Sequence, residues 1–326
     1  MIAWTSLPPG HELPAGAEVG PAQRPRVLYV VGAARSGTTI MDALLGAHAS
    51  IAAVGELRFL LEMEHGAFRR CACGRLVAEC LVWGEVLRRW IGSIGPGGDR
   101  THRVLSHRYE RFLGFPWLVF DLAFRRENFV RYRAATAALF AAILYVSGAE
   151  LIADSSKSPA RVLVLKGGHL ADLRVVHLVR DPRAAVWSMV KAHERLLGRR
   201  LSPFGRAAFA LRRVVQWLVA NAISEILVRW GGSGMRARYE DLIQDPEGFL
   251  SLVGELAGVD LRSIGVRAQA GEAFGYGHIV AGNLRRFTGP AALELDTDWI
   301  TGSPVWMRRM VWLLACPQAR RYGYRR

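Results

Sequence analysis

Four short apolar runs, at Arg26–Val31, Glu150–Ala153, Leu173–Val179 and Met235–Tyr239, recur between turn residues along this chain. Each reads as a buried strand. Each is followed within a few positions by a segment with apolar residues at helical spacing: Thr38–Gly46, Pro159–Leu165, Pro182–His193 and Pro246–Ala257. Pro182 and Pro246 stand where a first-turn proline belongs, behind Asp181 and Asp245 as N-caps. Strand and helix in alternation predict a parallel sheet with helices on both faces. Between the strands lie two mostly helical insertions, about 66–148 and 192–232. The expected architecture is one α/β, P-loop-like domain over residues 25–326 with those insertions. Residues 1–24, rich in Pro and Gly, read as a disordered leader; they have neither the charged start nor the apolar core of a signal peptide. The longest apolar stretch, Ala134–Ser147, is about one turn short of a membrane span and reads as a buried helix. A cytoplasmic protein is expected.

The first strand and helix enclose Gly32-Ala-Ala-Arg-Ser-Gly-Thr-Thr39. A glycine-bounded loop between a strand and a helix N-terminus forms an anion cradle, because backbone N–H groups and the helix dipole both face the ligand. The G-x-x-x-x-G spacing is that of a Walker A loop, but Thr38 occupies the place of its lysine, which in nucleoside triphosphatases reaches the β- and γ-phosphates. Arg35 is the loop's fixed cation. Such a loop suits a nucleotide whose single 5′-phosphate bears something other than a phosphate chain.

Charge sharpens this picture only a little. The 43 Lys and Arg against 28 Asp and Glu leave a formal charge of +15, and only Lys157, Lys166 and Lys191 are lysines. The balance permits anionic ligands or membrane surfaces. With no base-reading motif beside it, nucleic acid is not an expected partner. Lys157 stands out, in Asp154-Ser-Ser-Lys-Ser-Pro159 after the second predicted strand, as a compact point charge in an arginine-rich chain. A further block, Leu178-Val-Arg-Asp-Pro-Arg-Ala-Ala-Val-Trp-Ser188, ends a strand on Arg180 and presents Ser188 two turns into the next helix, a pairing able to grip a phosphate.

In order and spacing, these three blocks resemble the sulfotransferases that use 3′-phosphoadenosine 5′-phosphosulfate (PAPS). The closer resemblance is to a bacterial branch of that family. Its pattern also includes Val54-Gly-Glu-Leu57, Cys71-Ala-Cys-Gly74 with Cys80-Leu-Val-Trp83, Arg238-Tyr-Glu-Asp-Leu242 and Gly282-Asn-Leu-Arg-Arg-Phe287, and runs to Tyr322-Gly-Tyr324. The resemblance implies that Arg35, Ser36, Gly37, Thr38 and Thr39 hold the 5′-phosphosulfate, that Arg180 and Ser188 hold the 3′-phosphate, that Tyr239 lies near the adenine, and that Arg286 closes over the cofactor. Leu284 departs from a proline common in that last block. Arg285 reads as a surface charge. Tyrosylprotein sulfotransferases carry a similar Gly-Glu pair, which makes Glu56 the expected general base. Lys157 and Arg35 are then expected to stabilise charge on the leaving phosphate. The rival bases His48 and His177 read as core residues. PAPS carries its own activated sulfuryl group, so the chemistry calls for no metal.

The reaction so implied is transfer of a sulfuryl group from PAPS to a hydroxyl, or less readily an amine. The acceptor stays open among small molecules, carbohydrates, lipids and peptides. It would be met by the insertions, whose aromatic residues include Phe112–Phe124, Trp217 and Trp230. A P-loop small-molecule kinase and a non-catalytic nucleotide-binding protein are the alternatives. Cys71, Cys73 and Cys80 have spacing C-x-C-x6-C, without the paired C-x-x-C of common zinc modules. They read as free thiols, with His65 or Cys316 the candidate fourth ligand were a metal to bind. Trp306, Met310, Leu313 and Leu314 share one face of a C-terminal helix that docks on the core; its basic, amphipathic character is also compatible with a membrane surface.

Overall fold

The computed structural model describes residues 24–61, 70–110, 115–124, 126–229 and 233–326. The expected leader up to residue 23, together with His65, Phe112 and Trp230, lies outside them.

The chain opens with β1 (Arg26–Val31), α1 (Thr38–Gly46) and β2 (Ile51–Gly55). Four helices follow: α2 (Leu81–Ile94), α3 (Gly98–Tyr109), α4 (Phe115–Ala123) and α5 (Glu127–Ser147). Then come β3 (Leu151–Lys157), α6 (Pro159–Gly167), β4 (Asp172–Val179), α7 (Pro182–Leu197), α8 (Pro203–Arg229) and β5 (Gly234–Arg238). The helices of the remainder are α9 (Tyr239–Gln244), α10 (Pro246–Ala257), α11 (Arg262–Gln269), α12 (Asp298–Gly302) and α13 (Val305–Arg321), with a largely irregular segment over 270–297.

The five strands form one sheet in the order β2-β3-β1-β4-β5, with every pairing parallel. The α/β expectation therefore holds. Side chains alternate across the strands. On β1, Val27, Tyr29 and Val31 join the core beneath α2 and α5, while Leu28 and Val30 join the core beneath α1 and α10. Burial on both faces is why β1 is apolar without interruption. A third cluster, of α7, α8 and α13, packs around Trp217, Val311 and Trp312.

Three local expectations are corrected. β2 was not among the predicted strands: Ile51-Ala-Ala-Val-Gly55 carries two alanines, weak strand formers, and is fixed by pairing with β3. Tyr239 begins α9 rather than ending a strand. On α13, Met307, Val311, Trp312, Ala315 and Ala319 face the core, whereas Trp306, Leu313 and Leu314 are exposed. Helix α5 is long and apolar enough to cross a membrane by length and composition, but Tyr132, Leu139, Phe140 and Ile143 on it are buried in the core.

The connections put β1 at the centre of the sheet. The chain builds β2 and β3 on one side of it, then crosses to β4 and β5 on the other. In such sheets ligands collect beyond the carboxyl ends of the strands where the order reverses, and the carboxyl ends of β1, β3 and β4 lead into the three sequence blocks singled out above.

Candidate nucleotide site at the sheet edge

Between those strand ends lies a cavity of about 290 Å³, near the lower end of the range for small-molecule sites, about 300 Å³. Arg35, Gly37, Thr38 and Thr39 of the first loop line it, with Glu56 after β2, Lys157 at the end of β3, Arg180 after β4, Ser188 on α7 and Tyr239 on α9. Residues far apart in sequence thus meet because parallel strands all end on the same side.

The loop is tightly held. Gly37 has φ 100°, and a Cβ there would lie 2.2 Å from the Tyr239 ring. Only glycine fits both the backbone and the aromatic wall. The Ser36 side chain is buried behind the cavity rather than lining it, and its Oγ has no hydrogen-bond partner among the described residues. Thr39 Oγ1 accepts from the backbone N–H of Asn283, which ties α1 to the segment that closes the cavity.

Arg35 donates through Nε to Ser188 Oγ at 3.0 Å. Arg180 donates to the Arg35 carbonyl at 3.2 Å and to Asp296 Oδ2 at 2.9 Å, and its guanidinium lies 4.5 Å from the centre of the Tyr239 ring. The turn that presents Arg180 is secured from the C-terminus: Tyr324 OH donates to Glu240, and Glu240 accepts from the Asp181 N–H. Asp181 caps α7 through the Arg183 N–H. At the other end of the cavity, Lys157 donates to Glu56 Oε1 at 2.5 Å and to Thr38 Oγ1 at 3.0 Å. Both members of that ion pair are largely shielded from solvent, with side-chain exposures of 16% and 14%.

Six cations (Arg35, Lys157, Arg180, Lys191, Arg195 and Arg285) line the cavity against three carboxylates, Glu56, Glu294 and Asp296. The consequence appears at Arg35. Burial, then the neighbouring charges of Arg180, Arg195 and Arg285, lower its pKa from the ordinary guanidinium value. Cations so crowded favour an anionic occupant. Tyr239, Ile243, Tyr276, Ala291 and Ala292 supply a less polar wall.

Arg286 does not line the cavity. It is 2% exposed, donates to the carbonyls of Gly282 and Asn283, and lies against Phe287, while Arg285 turns toward the site in its place. His48 accepts from the Ser50 N–H, and His177 pairs with Asn221 inside the core; neither reaches the cavity. Trp217 is buried and donates to the Arg180 carbonyl, so it braces the site from behind. Lys191, Arg195, Asp296 and Tyr276 were missed in the sequence. For the first two there was a signal, since 188, 191 and 195 recur at the spacing of one helix face. Asp296 and Tyr276 carry no such local mark.

The fold has structural counterparts. The sulfotransferase domain from the Synechococcus PCC 7002 olefin synthase superposes with a TM-score of 0.53 at 16% identity, over 95% of this chain and 98% of that one. This chain has the sulfotransferase fold. The sulfotransferase domain from the curacin biosynthetic pathway shares that fold with it, at a TM-score of 0.50 and 13% identity, over 93% of this chain and 99% of that one. No protein-family model matches the sequence, and no curated protein matches it. Low identity with near-complete mutual coverage means that the sulfotransferase fold extends over almost the whole chain, helical insertions included.

Proposed function

We propose that the chain is a PAPS-dependent sulfotransferase. The observation that carries this reading is the Lys157–Glu56 ion pair set beside a lysine-free phosphate loop, in a cavity whose cations outnumber its carboxylates. The residues present fit the donor. The Gly37 cradle, the Thr39 hydroxyl and the Thr38 N-terminus of α1 suit a 5′-phosphosulfate. Arg180 and Ser188 suit a 3′-phosphate, and Tyr239 offers a flat face to adenine. When bound, PAPS supplies the activated sulfuryl group.

The chain's own part is positioning and proton handling. Glu56 is the base that takes the acceptor's hydroxyl proton. Lys157 already touches both Glu56 and Thr38, so its ammonium stands between the base and the loop. From there it and Arg35 neutralise charge that grows on the bridging oxygen as the sulfuryl group leaves in line; the analogy is with phosphoryl transfer. The acceptor is a hydroxyl compound. A kinase reading finds less support, because no lysine occupies the Walker position.

Calorimetric titration with adenosine 3′,5′-bisphosphate, beside ATP with magnesium, tests the reading. The bisphosphate is expected to bind, and Arg180→Ala to weaken it about 10- to 100-fold, as loss of a charge-assisted contact should. Binding of ATP with magnesium in place of the bisphosphate would overturn it in favour of a kinase.

A further inference from the structure

The three cysteines of the first insertion do not stand alone. Cys71, Cys73, Cys80 and His278 bring their four donor atoms within 4.8 Å of one another. Among the described residues the fourth member is His278, not Cys316. Cys316 sits on α13 with its thiol toward the Leu313 carbonyl, and His65 lies outside the described residues. His278 was not foreseen because it is 198 residues from Cys80 in sequence. The three thiols are free, as expected, and His278 is the histidine that stands beside them.

We propose that these four residues form a structural zinc site, independent of the nucleotide cavity's chemistry. Zinc bonds of about 2.3 Å to sulfur and about 2.0–2.1 Å to nitrogen, arranged as a tetrahedron, require S···S edges of about 3.8 Å and S···N edges of about 3.6 Å. Cys73 Sγ and Cys80 Sγ are 3.7 Å apart, Cys71 Sγ and His278 Nδ1 are 3.6 Å apart, and Cys80 Sγ and His278 Nδ1 are 3.2 Å apart. Three thiols and an imidazole select a soft, tetrahedral ion over magnesium or calcium. Four protein donors leave no open position, which makes the site structural rather than catalytic.

The backbone is built for the task. Cys71-Ala-Cys-Gly74 folds as a tight knuckle, with the Gly74 N–H donating to the Cys71 carbonyl and the Cys71 N–H to the Arg75 carbonyl. Cys80 is the N-cap of α2, so its thiol enters the cluster from the fixed start of a helix. Cys71 and Cys80 are buried, and Cys73 is exposed, which gives an ion a way in.

The site also has something to hold. Ala72 donates its N–H to the Ile279 carbonyl, and Trp83 Nε1 donates to the His278 carbonyl at 2.5 Å. Two residues on, Val280 donates to the Val54 carbonyl and accepts from the Glu56 N–H at 2.9 Å. The same strap continues into Asn283 and Arg285 of the cavity wall. A metal here pins the strap to the first insertion and so fixes the backbone on which Glu56 rests.

The test begins with the full chain, purified without chelator and gel-filtered, and its metal content by mass spectrometry. About one zinc per chain is expected. Cys73→Ser, at the exposed ligand, should cut retained zinc at least about tenfold without loss of helical circular dichroism. Cobalt(II) replacing the zinc should give the ligand-field bands of a tetrahedral thiolate site, a signature that packed thiols alone cannot produce. Three results would overturn the proposal: a wild-type chain that takes up neither zinc nor cobalt, Cys73→Ser with undiminished zinc, or freshly alkylated protein in which Cys73 and Cys80 are joined as a disulfide.

Discussion

Arg35 and Lys157 hold their backbones in the left-handed region, at φ 68° and 62°. A non-glycine residue there costs on the order of 1–3 kcal/mol, and such strain gathers at functional sites. Of the four non-glycine residues in this state among those described, these two line the cavity, and Ala281 is next to Gly282 of its wall. The strain turns two cations inward at the ends of β1 and β3. The proposed roles can be separated at this scale. Glu56→Gln keeps the shape and removes the base, so turnover should fall about 10²- to 10⁴-fold, while calorimetric affinity for adenosine 3′,5′-bisphosphate stays within a few-fold of wild type. Loss of both together would point to a purely structural Glu56.

Asp42 offers a second residue-scale test. It is buried on α1, accepts from Ser155 Oγ at 2.6 Å, and burial pushes its pKa up to about 7, against the hydrogen bond and the charge of Lys157. The ionised form is disfavoured in the folded state, so a penalty accumulates as pH rises from about 4 and is complete above about 7. Its ceiling is on the order of 4 kcal/mol. Asp42→Asn should therefore gain stability over wild type progressively across that window, and leave the two alike near pH 4. Urea melts of both proteins at several pH values measure the difference directly; a constant offset would refute the assignment.

At the scale of elements, Gly37 joins α1 to α9. A methyl group there meets the Tyr239 ring and must also accept φ 100°. Gly37→Ala is expected to weaken bisphosphate binding at least about tenfold and to destabilise the fold by about 1–3 kcal/mol, measured by calorimetry and urea unfolding. Much of this organisation was legible beforehand. β1, β4 and the proline-led helices α7 and α10 announce themselves because each strand is mostly apolar and each helix is capped by an aspartate. β2 was hidden because its alanines are strand-forming only by virtue of the neighbour they pair with. The face of α13 was misjudged because a helix carrying large apolar residues all round gives periodicity little to choose from; packing against α7 and α8 decides which side is covered. Within the cavity, loop residues adjacent in sequence could be read together. Arg285 and Arg286 could not be told apart, since the turn of a short 3-10 helix, Leu284–Phe287, sets which one faces inward. His278 belongs to the same class: its partners are made neighbours by topology alone.

At the scale of the molecule, the sheet delivers three sequence blocks to one edge, and the C-terminal tyrosines lock them from behind. Tyr324 reaches Glu240, and Tyr322 reaches Glu225 on α8. A second buried network supports the other side. Arg161 pairs with Glu110 at 2.5 Å and Asp154 at 2.9 Å, and Tyr132 donates to the same Glu110. Such a network costs desolvation that its mutual contacts offset, and removing one member would leave a charge stranded in the core. It joins α3, α5, α6 and β3, so Lys157 projects from a strand whose flank is fixed by ion pairs as well as by apolar packing.

The surplus of cations around the cavity carries a consequence for turnover. On the proposed function, donor and spent nucleotide share their phosphates, so the charges that capture one also retain the other. Departure of the bisphosphate then becomes the slow step, and the enzyme is held back by its own product. Exposed members of the ring, such as Arg285, are those that dissolved ions screen. Added salt should raise kcat at saturating donor and lower kcat/KM at dilute donor, a divergence that steady-state rates at two ionic strengths would display. Arg285→Ala should reproduce the effect of salt in plain buffer, the wall giving up its hold as it gives up its pull.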